Sequence, residues 1–322
     1  MRVLVTGVNG FVGSVLHKKL KEECLLDVIG TVRNIDSLYK QDILSVGSID
    51  SVTDWTEALD SVSVVVHCAA RAHIMKDEVS DPIAEYRKVN TDGTLNLARQ
   101  SASAGVKRFI FISTIKVNGE TTSGSSAFTE QDLLIPQDAY GISKKEAEDG
   151  LGKIARETGM EVVIIRPPLV YGPNVKANFL YLMKLADTNI PLPFSMIRNV
   201  RSMVYVENLV DFIITCIEHP RAANQTYLIS DGTDLSLPEL IKIMRSSLGR
   251  PERLLPIPKF CFRFSGVVVR KSTIVDRLIG DLQVDSSKAE EKLSWKPPYT
   301  VQQAIKATVD SYIEGKRSGG NS

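Results

Sequence analysis

Apolar residues in the first half of this chain follow two alternating rhythms. Residues 2–6 are a short β-rich run. An amphipathic stretch comes next, with Val12, Val15, Leu16 and Leu20 spaced i, i+3, i+4 and i+8. Asp27 to Arg33 reads as the next strand. Val62 to Cys68 is almost continuously apolar, as expected of a parallel strand buried on both faces. Arg108–Ser113 and Glu161–Arg166 are further strands. Between them lie helical patterns: residues 91–104, with Leu95, Ala98 and Ala102 inward, and the stretch that carries Tyr140 and Lys144. This rhythm predicts an α/β fold with a doubly wound parallel sheet and ligands at the carboxyl ends of its strands. His67, Thr114 and Pro167-Pro168 fall at such ends.

The pattern changes after Gly172. Residues 173–202 hold several prolines and a helix, and a strand and helix return over Val204–Glu218. Residues 230–313 read as mostly helical, with proline-rich loops between 251 and 258. The expected organisation is a dinucleotide-binding domain over 1–172 plus 203–229 and a smaller, mainly helical C-terminal substrate domain over 173–202 plus 230–313. Residues 314–322 read as a disordered tail. Aromatic and basic residues interleave over 260–271, which fits a core helix with basic flanks, a lid or an interfacial membrane contact.

Composition narrows the classes. Hydrophobic residues at 43% supply a core, and a net charge of +1 gives no reason to expect nucleic acid as a partner. The apolar runs fall short of the ~18 residues of a membrane helix. A strand beginning at residue 2 leaves no room for a signal peptide. Cys24, Cys68, Cys216 and Cys261 are scattered, and Cys68 and Cys216 read as buried thiols, which fits a reducing cytoplasm. The histidines (His17, His67, His73, His219) show no ligand spacing either, so no metal site is expected.

Candidate chemistry begins at Gly7-Val8-Asn9-Gly10-Phe11-Val12-Gly13, a glycine-rich turn between a strand and a helix. Gly7 permits the tight turn, Gly10 lets the backbone approach a pyrophosphate, and Gly13 lets the helix pack on the sheet. The spacing is GxxGxxG rather than GxGxxG. This is a Rossmann-type signature. The following strand ends in Val32-Arg33 without a carboxylate, which favours NADP over NAD, because a base suits the 2′-phosphate. Tyr140 and Lys144, four apart, share a helix face. An ammonium beneath the phenol, with a second cation on an oxidised nicotinamide, would lower the tyrosine from its reference near ~10 and make it a general base or acid.

Together these residues resemble the extended short-chain dehydrogenase/reductase family, in particular its nucleotide-sugar epimerases, dehydratases and reductases. The markers are Thr6–Gly13, His67-Cys68-Ala69-Ala70, Val89–Thr94, Ser113-Thr114, Tyr140–Lys144 and Arg166–Pro173, and the likeness spans residues 1–313. The resemblance implies that Tyr140 exchanges a proton with a sugar hydroxyl, Thr114 bonds the same oxygen, and Lys144 holds the nicotinamide ribose. It places Gly7, Asn9, Gly10, Phe11, Val12, Gly13, Arg33, Ser48, Ile49, Cys68, Ala69, Ala70, Asn90 and Pro167 along the cofactor. Ser113 competes with Thr114, and helix capping competes for Asn90. On the substrate side it implies Asn178, Arg201, Arg277 and Asp281 as contacts to pyrophosphate and ribose, and a homodimer through a bundle that includes helix 140–157.

Three chemistries separate within that family. Related 4,6-dehydratases carry aspartate and glutamate after the active-site threonine, where this chain has Ile115 and Lys116, so dehydration is not expected. The run Ser113–Glu120 resembles a branch from O-antigen and capsule gene clusters, including reductases that make UDP-N-acetylquinovosamine. NADPH-dependent reduction of a UDP-linked 4-keto sugar is therefore the leading expectation. NAD-dependent UDP-hexose 4-epimerisation (UDP-glucose or UDP-N-acetylglucosamine) is the alternative. A non-catalytic cofactor-binding regulator is the remote one.

Overall fold

The computed structural model describes residues 1–24, 26–34, 42–72, 81–258 and 279–319. Among these residues seven parallel strands form the central sheet in the order β3-β2-β1-β4-β5-β6-β9. They are β1 (Arg2–Thr6), β2 (Asp27–Val32), β3 (Ile43–Ser45), β4 (Val64–His67), β5 (Arg108–Ile112), β6 (Glu161–Arg166) and β9 (Gln225–Leu228). The sheet grows outward from β1 on one side and from β4 on the other. The switch point between them is where an open α/β sheet leaves a ligand crevice.

Alternate residues of each strand feed opposite faces, which explains why the strands read as continuous apolar runs. Val3, Val5, Val64, Val66, Ile110, Ile112, Val163 and Ile165 join one core with Leu16 and Leu20 of α1 (Phe11–Glu22) and Phe212 and Ile213 of α6 (Val206–Glu218). Leu4, Val65, Phe109, Phe111 and Val162 join the other, with Leu97 and Ala98 of α3 (Thr94–Ser103) and Leu151 and Ile154 of α4 (Ala139–Thr158). Deleting either layer's leucines would cost about 2–5 kcal/mol each.

A third apolar cluster gathers Phe179 and Met183 of α5 (Ala177–Ala186), Ile241 and Met244 of α7 (Leu237–Ser247), and Ala304, Ile305 and Val309 of α8 (Val301–Gly319). It meets the sheet through a two-stranded parallel ribbon, β7 (Leu169–Tyr171) with β8 (Met203–Tyr205). Asp231 locks that joint. Its carboxylate accepts the Tyr171 hydroxyl at 2.7 Å and the Asn208 amide and Tyr205 N–H at 2.8 Å each.

Several sequence expectations change. The helix expected from residue 91 begins at Thr94, after a short helix α2 (Pro82–Tyr86) and a π turn over Arg87–Gly93. Leu97 takes the buried place expected of Leu95, which instead lies against Gly150 of α4. The tail is helical through Gly319, because Lys316 pairs with Asp187 at 2.7 Å and anchors the last turns. Residues 260–271 and Arg277 lie outside the described residues. No helix among the described residues is long and apolar enough to cross a membrane.

Candidate active site

Gly7 turns the chain at the end of β1 with φ +71°. A Cβ there would sit 2.9 Å from Ala69 Cα, and one on Gly13 would sit 2.3 Å from the Gly7 carbonyl oxygen. Only glycine fits either position, so α1 is seated directly on the turn and the turn on the loop after β4. The first turn of α1 has no acidic residue and no side-chain cap, which leaves its dipole and amides suited to an anion. Asn9 and Gly10 are exposed at this end, with Phe11 and Val12 half-buried behind them. These residues fit a dinucleotide pyrophosphate. Ser48 and Ile49 flank the head of α3: the Ser48 carbonyl accepts the Thr53 hydroxyl at 2.8 Å, and Ile49 fills the space beside Gly93. Arg33 is exposed just beyond β2.

A buried relay ties β1 to β4 beneath the crevice. Thr6 Oγ1 accepts the Ala69 N–H at 3.1 Å and faces His67 Nδ1 at 2.7 Å, while His67 Nε2 faces Thr94 Oγ1 at 3.0 Å. A Thr6 hydroxyl that donates to Nδ1 assigns the imidazole proton to Nε2. Burial, and then the Lys144 charge, lowers His67 to about 3, so it stays neutral and structural. Burial pushes the neighbouring Cys68 thiol up to about 12.

Asp138 opens α4 by accepting the Gly141 N–H at 2.8 Å, which fixes Tyr140 and Lys144 on successive turns. Lys144 is 1% exposed. Its ammonium donates to the Ile112 carbonyl at 2.8 Å and lies 4.3 Å from the Phe111 ring centroid. Burial lowers it to about 7, against the raising effect of Cys68 and Glu148. Tyr140 is half-buried, with its ring 6.1 Å from that of Tyr86. Its phenol is shifted upward, first by burial and then by Asp138 and Tyr86. The expectation of a lowered phenol is therefore reversed in the protein by itself. Burial disfavours phenolate, and the Asp138 carboxylate on the helix cap adds to that.

The structure separates Ser113 from Thr114. The Ser113 hydroxyl donates to Glu148 Oε1 at 2.5 Å, inside a buried cluster where Arg166 reaches Glu148 at 2.6 Å and Asn118 Oδ1 at 3.2 Å. Thr114 begins a short 3-10 turn, Ile115–Val117, its hydroxyl accepting the Lys116 N–H at 3.3 Å. Ile115 packs with Leu228, Leu282 and Val284, and its N–H is bonded to the Pro167 carbonyl at 2.9 Å. Asn90 caps no helix, because it lies within the π turn. Its amide grips both backbone groups of Arg71, at 2.8 and 3.0 Å, and donates to Ser143 Oγ at 3.0 Å. A π turn that aims a polar residue at a neighbouring helix is a common device at functional sites.

The substrate-side residues are only partly brought together. Asn178 is exposed on the first turn of α5. Arg201 donates to the Gly280 carbonyl at 3.0 Å, next to Asp281. Asp281 itself is a clamp: one oxygen accepts the Val200 N–H and the other the Ser123 hydroxyl, each at 2.8 Å. Arg71, Tyr86, Ser143 and Glu148 were not singled out from sequence. Ser143 lies inside the Tyr140–Lys144 motif, and its place on the helix face was the available signal.

The profile of the NAD dependent epimerase/dehydratase family matches residues 3–230. The chain belongs to that family. It is 49% identical over 315 residues to a UDP-glucose 4-epimerase of Vibrio cholerae, covering 97% of this chain and 95% of that protein. Among solved structures it is similar to the UDP-glucose 4-epimerase of Thermotoga maritima with UDP-glucose, at TM-score 0.75 and 26% identity over 98% of this chain and 99% of the other. The UDP-glucuronic acid 4-epimerase of Bacillus cereus, solved with NAD, shares the fold at TM-score 0.77 and 22% identity, over 98% of this chain and 99% of its own. The chain is thus an enzyme of a family that includes UDP-glucose 4-epimerases.

Proposed function

We propose that this protein is an NAD-dependent 4-epimerase of a UDP-hexose, with UDP-glucose the first substrate to try. The observation that carries this reading is the 49% identity to a UDP-glucose 4-epimerase along nearly the whole of both chains. It reverses the order expected from sequence, in which reduction of a 4-keto sugar came first.

Tyr140 takes the proton of the C4 hydroxyl and gives it back after the sugar has turned over. Thr114 holds the same oxygen, since Ser113 is occupied by Glu148. Lys144 binds the nicotinamide ribose, and Asn90 ties the segment after β4 to α4 through Arg71 and Ser143. NAD, when bound, supplies the hydride acceptor and afterwards the donor. Ile115, buried among apolar side chains, has no proton to give for dehydration.

The second reading keeps NADPH and reduction. Arg33, exposed where the adenosine ribose is expected, and the absence of a carboxylate at the end of β2 favour it. One experiment decides. Purified protein is denatured, released nucleotide is identified, and native protein is given UDP-glucose without added cofactor. Stoichiometric NAD and appearance of UDP-galactose support the epimerase. Protein free of nucleotide that consumes NADPH only with a UDP-linked 4-keto sugar replaces it with the reductase.

A further inference from the structure

Lys116 occupies a position that the chemistry above leaves without a task. Its ammonium is ion-paired with Asp138, and it lies 3.2 Å from Glu120, four residues further on. Asp138 is the residue that caps α4, two positions before Tyr140. The two segments also touch through backbone. A Cβ on Gly141 would meet the Lys116 carbonyl oxygen at 3.0 Å, so the glycine after Tyr140 is what lets the 3-10 turn close on the helix. We propose that Lys116 is a positioning residue for Tyr140: it holds Asp138 on the helix cap and masks the charge that this carboxylate presents to the phenol.

The charges around Tyr140 support this assignment. Asp138 is the second cause of the upward shift of the phenol, after burial, and Tyr86 of α2 is the third. Arg71 stands over the far ring of that pair, 5.5 Å from the Tyr86 centroid. Lys144, on the same helix, turns to the Ile112 carbonyl. Arg87 of the π turn is held by Glu146, and Arg166 of β6 by Glu148, both further along α4. Lys116 is a cation seated on the carboxylate that opposes ionisation of Tyr140, and Glu120 shares it.

The inference rests on Tyr140 as the proton-exchanging group, so its test reads the phenol directly. The protein is labelled with 13Cζ-tyrosine and loaded with the nicotinamide cofactor it binds. The Tyr140 resonance is identified by its loss in Tyr140→Phe and titrated. Lys116→Met is expected to move its midpoint up by about one pH unit, a tenfold loss of phenolate. Asp138→Asn, which keeps the helix cap, moves it down. Lys116→Met in the Asp138→Asn background moves it little, and Lys116→Arg keeps the native value. An unchanged midpoint in Lys116→Met, with only a lower melting temperature, overturns the proposal, as does an equal shift in both backgrounds. A phenol that titrates as expected in a protein without epimerase activity would sink the proposed reaction but not this role.

Discussion

Ser113 and Glu148 share a 2.5 Å hydrogen bond inside the wedge between β5 and α4, and this bond removes Ser113 from the crevice. In the proposed reaction it is the neighbouring Thr114 that meets the substrate oxygen. Thr114→Val is therefore expected to lower kcat by about 100- to 1,000-fold, the range of a lost transition-state hydrogen bond. Ser113→Ala should keep kcat within about threefold while lowering stability by about 1–2 kcal/mol. Steady-state kinetics and urea melts on both variants check the division.

Tyr140→Phe should cost about 10²–10⁴ in kcat, as loss of a general acid–base does. Cofactor should still bind, since the ring packing against Tyr86 is kept. Fluorescence titration of the variant with NAD separates binding from chemistry.

Lys144 lies at about 7 in the fold and near ~10.5 when unfolded, because burial disfavours its charge. The unfolded chain binds the extra proton between those values, so this group's share of stability falls as pH drops from the upper to the lower one. Lys144→Met should raise the melting temperature of cofactor-free protein by about 2–5 °C at pH 7. The gain should shrink toward pH 10. A gain that is flat with pH would contradict this origin.

His67 follows the same rule at lower pH. With its folded value at about 3, it loses stability as pH falls below its unfolded value near ~6.5. His67→Gln should flatten acid denaturation between about pH 6 and 4. Histidine NMR of the native protein should show this ring untitrated at pH 5.

Breaking the buried Glu148–Arg166 pair from one side should be severe. Glu148→Leu strands a guanidinium that is 5% exposed, at a cost of about 3–5 kcal/mol. Thermal melts measure it, and loss of activity should track unfolding, not precede it.

Much of the fold was legible because its cause is local. Valine-rich runs buried on both faces read as parallel strands, and Gly7 and Gly13 betrayed a turn with no room for side chains. The tyrosine–lysine spacing placed two side chains on one helix face. The π turn at Asn90 was not legible, because a one-residue bulge leaves the helical period almost unchanged. Nor was the helix running through Gly319, whose anchor is a contact between Lys316 and Asp187, 129 positions apart.

Sequence alone determined the sheet, the crevice and the family, since periodicity and glycine sterics act along the chain. Only tertiary structure bound Ser113 to Glu148, found a partner for Lys116, and showed Tyr140 held upward by burial and Asp138. Those properties depend on which groups meet across space and how much water they lose, and no spacing along a chain encodes either.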